Sequence, residues 1–366
     1  MSSVCVVDAN RFCAQCILRQ FWFYSTTRSI TTFYIIPYYY LNFIVRLLSI
    51  IIVLFNILPA QIALPTFQAV HSKSNASIIS LPSDTLTFTN CGVTGRNGPT
   101  QSQINSTYTL GNSLYNSVTI NTQGIQEWTV PQTGSYTIEV WGAEGGSSSR
   151  GYDGGKGARM KGTFTLSQGT VLKILVGQQG PDVSCTPGGG GGSFVTLSDN
   201  SPLIIAGGGG GASTDYDGID AVVSGSGTSN TAETASGGTN GSGGGSCTTG
   251  YHSGGGGGGL LTDGEDGNQN SGRGYAFVNG GQGGDMVRSG GKIGGFGGGG
   301  GTSNCTVGGG GGGGYSGGAG GEHYNECGPT DNRRSAGGGG GSYNGGSSTD
   351  NSAGVREGHG QVVITY

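Results

Sequence analysis

Six uninterrupted runs of five or more glycines, at 188–192, 207–211, 254–259, 297–301, 308–314 and 337–341, constrain this chain more than any other feature. Helix and sheet both disfavour such tracts, because glycine loses the most backbone freedom on ordering and has no side chain to bury. A collagen helix needs glycine at every third position and abundant proline, and the runs here are uneven and nearly proline-free. Two fates remain. Either the runs are flexible loops on a folded core, or they order as extended threefold helices of the polyproline-II type. Order requires several runs side by side, exchanging lateral N–H···O bonds and Cα–H···O contacts that only chains without Cβ approach closely enough to form. At ~3.1 Å per residue each run would span about 15–22 Å, the length of a strand, so a bundle of them could stack on a sheet.

The segments between the runs supply that sheet. The chain carries 16 Tyr, 12 Phe and 3 Trp, grouped in strand-like stretches rather than dispersed in a polar repeat, which argues against disorder throughout. Tyr136, Ile138 and Val140 alternate with Thr137, Glu139 and Trp141, and Met160, Phe164 and Leu166 alternate with Lys161, Thr163 and Thr165. Leu203–Ala206, Val362–Ile364 and, broken only by Lys173, Val171–Val176 are more continuously apolar. Phe194–Leu197 and Leu203–Ile205, joined through Ser198-Asp199-Asn200-Ser201-Pro202, carry the strongest hairpin signal. The expected fold class is mainly β, a β-sandwich.

Residues 1–63 read as a leader. Leu47–Leu58 is a 12-residue apolar run preceded by Arg46 and followed by Pro59-Ala60-Gln61-Ile62-Ala63, the anatomy of a signal peptide. Extending the run back to Phe33 makes an uncleaved signal anchor the alternative, so membrane attachment is expected only through such an N-terminal anchor. Residues 64–86 are polar and Ser-rich, a linker, and the folded part is expected from residue 87 to 366. Sequons at Asn75, Asn105, Asn240 and Asn304 are compatible with a secretory route and with glycosylation. Beyond the leader five cysteines remain; the preferred disulfides are Cys305 with Cys327 and Cys185 with Cys247, leaving Cys91 as the odd thiol, with other pairings open to geometry.

Net charge is −4, with Lys and Arg scattered, so no basic stripe exists to neutralise phosphates and nucleic acid is not an expected partner. No cofactor is expected: the histidines are dispersed at 71, 252, 323 and 359, no Cys-x-x-Cys follows the leader, and no P-loop lysine is followed by Ser/Thr. Asp215, Asp217 and Asp220, and Asp263 with Glu265 and Asp266, are acidic loops that complete no calcium pattern and read as solvated turns. Kinase catalysis needs a His-Arg-Asp base and an Asp-Phe-Gly metal ligand beside its strand lysine, and neither motif is present, so the chain is not expected to be an enzyme.

Several motifs, in order, resemble one family. Thr87-Phe88-Thr89-Asn90-Cys91-Gly92 with Gly98-Pro99-Thr100-Gln101, then Gly124–Pro131, Trp141-Gly142-Ala143-Glu144-Gly145-Gly146, Ile174-Leu175-Val176-Gly177-Gln178-Gln179-Gly180, Pro202–Gly208 and Glu357-Gly358-His359-Gly360 resemble the glycine-rich extracellular domain of the anaplastic lymphoma kinase and leukocyte tyrosine kinase receptors. The resemblance implies a tumour-necrosis-factor-like (jelly-roll) sandwich with an inserted bundle of polyglycine-II helices. It implies a secreted or cell-surface module that binds a small, basic, cytokine-like protein and pairs with a second copy on binding. Of two carboxylates that the family places around Gly-His-Gly for ligand contact, Glu357 matches the first, and the second position is Gln361, which keeps hydrogen bonding and loses the charge. The family cysteine expected to partner Cys91 is replaced by Ile104. The rival expectation is a structural matrix or mucus protein whose glycine-rich surface drives self-assembly.

Overall fold

The computed structural model describes residues 84–247, 253–267, 271–286, 292–303, 308–323 and 334–366. The leader and nearly all of the stretch read as a linker lie outside them; the first strand begins at Thr85, just inside that stretch. Strands β1 (Thr85–Phe88), β4 (Gly134–Trp141), β5 (Gly157–Leu166), β10 (Ser352–Arg356) and β11 (Gln361–Thr365) form one antiparallel sheet in the order β1-β11-β4-β5-β10. Strands β2 (Val118–Thr122), β3 (Ile125–Thr129), β6 (Val171–Leu175), β7 (Ser193–Leu197), β8 (Pro202–Ala206) and β9 (Tyr343–Asn344) form a second, in the order β2-β3-β6-β7-β8-β9.

The two sheets share a core. Tyr136, Ile138, Val140, Met160, Val362 and Ile364 of the first meet Trp128, Leu172, Ile174, Val195 and Ile204 of the second. The period-two alternation read from β4 and β5 therefore marks a sheet with one face buried and one wet. The second sheet is buried on both faces only over part of its middle strands, while β2 keeps one face largely exposed. Ile125, Leu175, Phe194 and Ile205 point away from the sandwich core into a separate cluster with Leu260, Phe277 and Phe296. That is why β8 and, apart from Lys173, β6 read as apolar runs in sequence. The expected β7–β8 hairpin forms with Phe194 opposite Ile205 and Val195 opposite Ile204, and its register slips next to Pro202, which has no N–H to give to the ladder.

A short helix, α1 (Gln101–Thr107), has no apolar period long enough to be read from the sequence. Its start is set locally: Gln103 Oε1 accepts the Thr100 N–H at 2.8 Å, and Ile104 is the one residue it buries.

Beyond the second apolar cluster lie the glycine runs, and every residue of all six is buried. Their hydrogen bonds repeat every third residue. Gly310 and Gly313 donate to Pro187 O and Gly190 O, Gly311 and Gly314 to Gly255 O and Gly258 O, and Gly312 and Tyr315 to Gly338 O and Gly341 O, all at 2.8–3.2 Å. The carbonyls of the same run accept from Gly208 and Gly211, from Gly318 and Gly321, and from Gly300. Run 308–314 is thus surrounded by six segments, three receiving its donors and three supplying its acceptors. Run 254–259 behaves likewise: Gly254 and Gly257 donate to Gly321 O and Gly318 O, and Gly255 and Gly258 to Gly301 O and Gly298 O. A Cβ built on Gly312 would sit inside the van der Waals shell of Gly208 O, and one on Gly257 inside that of Gly312 O. Backbone bonding between neighbours this close is available to no other residue type.

Candidate functional site

Three segments far apart in sequence meet at one end of the sandwich: the stretch after β4, the stretch after β6, and the Glu357–Gly360 turn between β10 and β11. Gly358 takes a φ of +72° in open space, which permits the tight turn, whereas Gly360 is required because a Cβ there would strike Trp141 O and Ser193 Oγ. The turn is bound on both sides. Gly360 N donates to Gly177 O at 2.9 Å, Glu144 N donates to Gly358 O at 2.9 Å, and Gln179 N donates to His359 Nδ1 at 3.0 Å. Nδ1 is therefore the unprotonated ring nitrogen, and burial, then the nearby Arg356 charge, holds the His359 pKa below its ordinary value.

Glu144 is the hub. Its Oε2 accepts from Gly358 N at 2.8 Å and from Gln179 Nε2 at 3.2 Å. Burial raises its pKa, opposed by the Gly358 N–H and reinforced by the charges of Glu357, Asp182 and Asp153. Sequence reasoning placed Glu144 only inside a resemblance motif; its signal was a lone carboxylate among small residues, which reports no role until the other two segments are brought to it.

Glu357, the first predicted site residue, stands on this turn with its side chain 70% exposed and its Oε1 2.7 Å from Lys156 Nζ. That pairing follows from register. Arg356 lies opposite Gly157 in the antiparallel β10–β5 ladder, so the next residue on one strand faces the preceding residue on the other. The hydrogen bond and the charge of Lys156 lower the Glu357 pKa and raise that of Lys156. Gln361, the second predicted residue, opens β11 opposite Trp141 and lies on the sheet's outer face, since Val362 and Ile364 point into the core. The two positions thus flank the β10–β11 connection, Glu357 within the turn and Gln361 at the start of the strand it leads into.

Other sequence-predicted residues are placed as follows. Asn105 is exposed on α1 and Asn240 is exposed at a turn with φ +51°, while Asn75 and Asn304 lie outside the described residues. Cys185 and Cys247 are each disulfide-bonded, and Cys305 and Cys327 lie outside the described residues. Among the described residues Cys91 is a free, buried thiol, packed in the core that also holds Ile104.

The acidic loops face solvent, with Asp217, Asp220, Glu265 and Asp266 exposed, and their carboxylates also accept backbone N–H groups. Asp217 Oδ1 accepts Asp153 N, Asp220 Oδ1 accepts Lys156 N, Asp215 Oδ2 accepts Arg334 N and Asp263 Oδ1 accepts Ala276 N, at 2.6–2.9 Å. They fasten the backbone of the glycine-rich region to its surroundings. Among the described residues no three His, Cys, Asp or Glu side chains are arranged to hold a metal, and no helix is long and apolar enough to cross a membrane.

The chain matches no protein-family model. It is similar to the leukocyte tyrosine kinase receptor of Mus musculus, 41% identical over 106 residues that make up 28% of this chain and 12% of the receptor. The similarity is to a receptor tyrosine kinase, over a small part of its length.

Proposed function

We propose that residues 87–366 form an extracellular recognition module of the receptor tyrosine kinase ectodomain type, secreted or held at the cell surface, that binds a small basic protein. The reading takes the sandwich as a tumour-necrosis-factor-like jelly roll, in keeping with a chain that passes repeatedly between its two sheets. It takes the glycine runs as polyglycine-II helices, which their period-three bonding supports. The observation that carries it is that Glu144 and Glu357 meet at one turn, Glu144 bonded to Gly358 N and feeling the charges of Glu357, Asp182 and Asp153, with Glu357 offered to solvent. Carboxylates gathered this way favour a cationic partner by complementarity and by steering. The module is assigned recognition rather than catalysis, and a second copy is recruited through the bound partner.

Binding of a basic secreted protein, measured by surface plasmon resonance on the purified domain, is expected to saturate, to weaken with added salt, and to fall on Glu357→Lys. Affinity indifferent to both would overturn the reading. The matrix-protein alternative needs unsatisfied glycine backbone at the surface. Here the runs are buried and bond to one another, so sedimentation should show no concentration-dependent assembly of the free domain.

A further inference from the structure

Lys156 is the cation paired with Glu357, while Arg356, the other cation at the turn, donates its Nε–H to His359 O at 2.8 Å. The Lys156 ammonium lies 2.7 Å from Glu357 Oε1, and its charge is further favoured by Asp220 and Glu144. Its backbone has no freedom to turn elsewhere. Lys156 N donates to Asp220 Oδ1 at 2.6 Å, Ala221 N donates to Lys156 O at 2.9 Å, and the flanking Gly155 and Gly157 each pack so closely on other backbone that neither admits a Cβ. The β10–β5 register then delivers the side chain to Glu357. A cationic group is thus built into the position where the proposed site would receive one from a partner.

We infer that Lys156 is an internal competitor for the recognition carboxylate Glu357, setting how basic a partner must be before it exchanges into the site. The inference rests on the reading of Glu357 as a ligand contact. Both side chains are substantially exposed, 43% for Lys156 and 70% for Glu357, so the pair is weak enough to be exchanged. An incoming guanidinium offers two parallel N–H donors where Lys156 offers a point charge, so arginine-rich surfaces exchange more readily than lysine-rich ones.

The test is a double-mutant cycle read by fluorescence anisotropy with a labelled oligoarginine peptide as probe. Lys156→Gln is expected to tighten binding about two- to fivefold, Lys156→Arg to leave it near the wild-type value or weaken it, and Glu357→Gln to weaken it. The tightening by Lys156→Gln should vanish in the Glu357→Gln background. If it persists there at full size, Lys156 acts only through net charge and the inference is overturned; it is equally overturned if Lys156→Gln fails to tighten binding. A ligand-free arm separates this from failure of the recognition reading. The Glu357 carboxylate, followed by carbon NMR, should titrate closer to an ordinary glutamate in Lys156→Gln. An unmoved titration denies the pair itself, whereas a moved titration with no peptide binding by any variant denies the recognition reading and the competitor role with it.

Discussion

The carboxylate of Glu144 accepts the Gly358 N–H at 2.8 Å while the Glu144 N–H donates to Gly358 O at 2.9 Å, a two-way clasp between residues more than half the chain apart. It joins the segment after β4 to the β10–β11 turn, and Gln179 extends it to the segment after β6 through its side chain on Glu144 and its N–H on His359. The proposed recognition edge depends on this clasp for its shape.

Glu144→Ala removes the acceptor of two N–H groups in a half-buried position and is expected to cost about 1–2 kcal/mol in urea unfolding. Glu144→Gln keeps an acceptor oxygen and should cost less. A fall in stability equal for both would place the effect on charge rather than on the clasp.

The turn should weaken in mild acid. The folded-state pKa of His359 lies below 6.5, so its contribution is fully present above that unfolded value and is lost as pH falls through the folded one. Glu144 works in the opposite sense: its folded pKa lies above 4.5, so its contribution is present below 4.5 and lost as pH rises through the folded value. The His359 effect governs the range just below neutrality. Urea midpoints between about pH 7.5 and 5.5 should fall in the wild type and fall less in His359→Asn, whose amide oxygen can accept from Gln179 N without titrating.

Two glycine substitutions should part company. Gly312→Ala puts a methyl group against Gly208 O in the middle of the bundle and is expected to cost about 3 kcal/mol or more. Gly111, at φ +96° with open space around it, should cost only about 1–2 kcal/mol as alanine. Hydrogen exchange should show the 310–314 amides protected in the native domain, and Gly312→Ala should lower protection in the six segments that surround that run.

Cys91 is buried with its sulfur near Thr89 O at 3.6 Å and faces Tyr108, whose hydroxyl burial holds strongly protonated. Alkylation mapped by mass spectrometry should leave Cys91 unmodified in the native domain and label it once denatured. Rapid native labelling would show the core around Ile104 to be open.

The alternation in β4 and β5 and the turn chemistry between β7 and β8 were legible because each depends on neighbours within a few residues. Helix α1 was not, since seven residues with one buried side chain carry no period. The double burial in the middle of the second sheet was written as largely apolar runs, but nothing local told that Phe194 would join one cluster and Val195 the other. The acidic loops were legible as solvated, but their attachments were not. Asp217 and Asp220 serve Asp153 N and Lys156 N, partners 64 residues away, so their composition showed charge and concealed attachment.

The amino-acid sequence by itself determined that this chain would be a β-structure carrying six tracts disfavoured in ordinary helix and sheet, because each glycine loses the most backbone freedom and has no side chain to bury. Which carbonyl each glycine N–H would find, and that Glu144, Lys156, His359 and Glu357 would meet at one turn, only the tertiary structure decided. Lateral bonds between featureless tracts and contacts across hundreds of residues leave no local trace, and they exist only once the sandwich holds the ends of the segments in place.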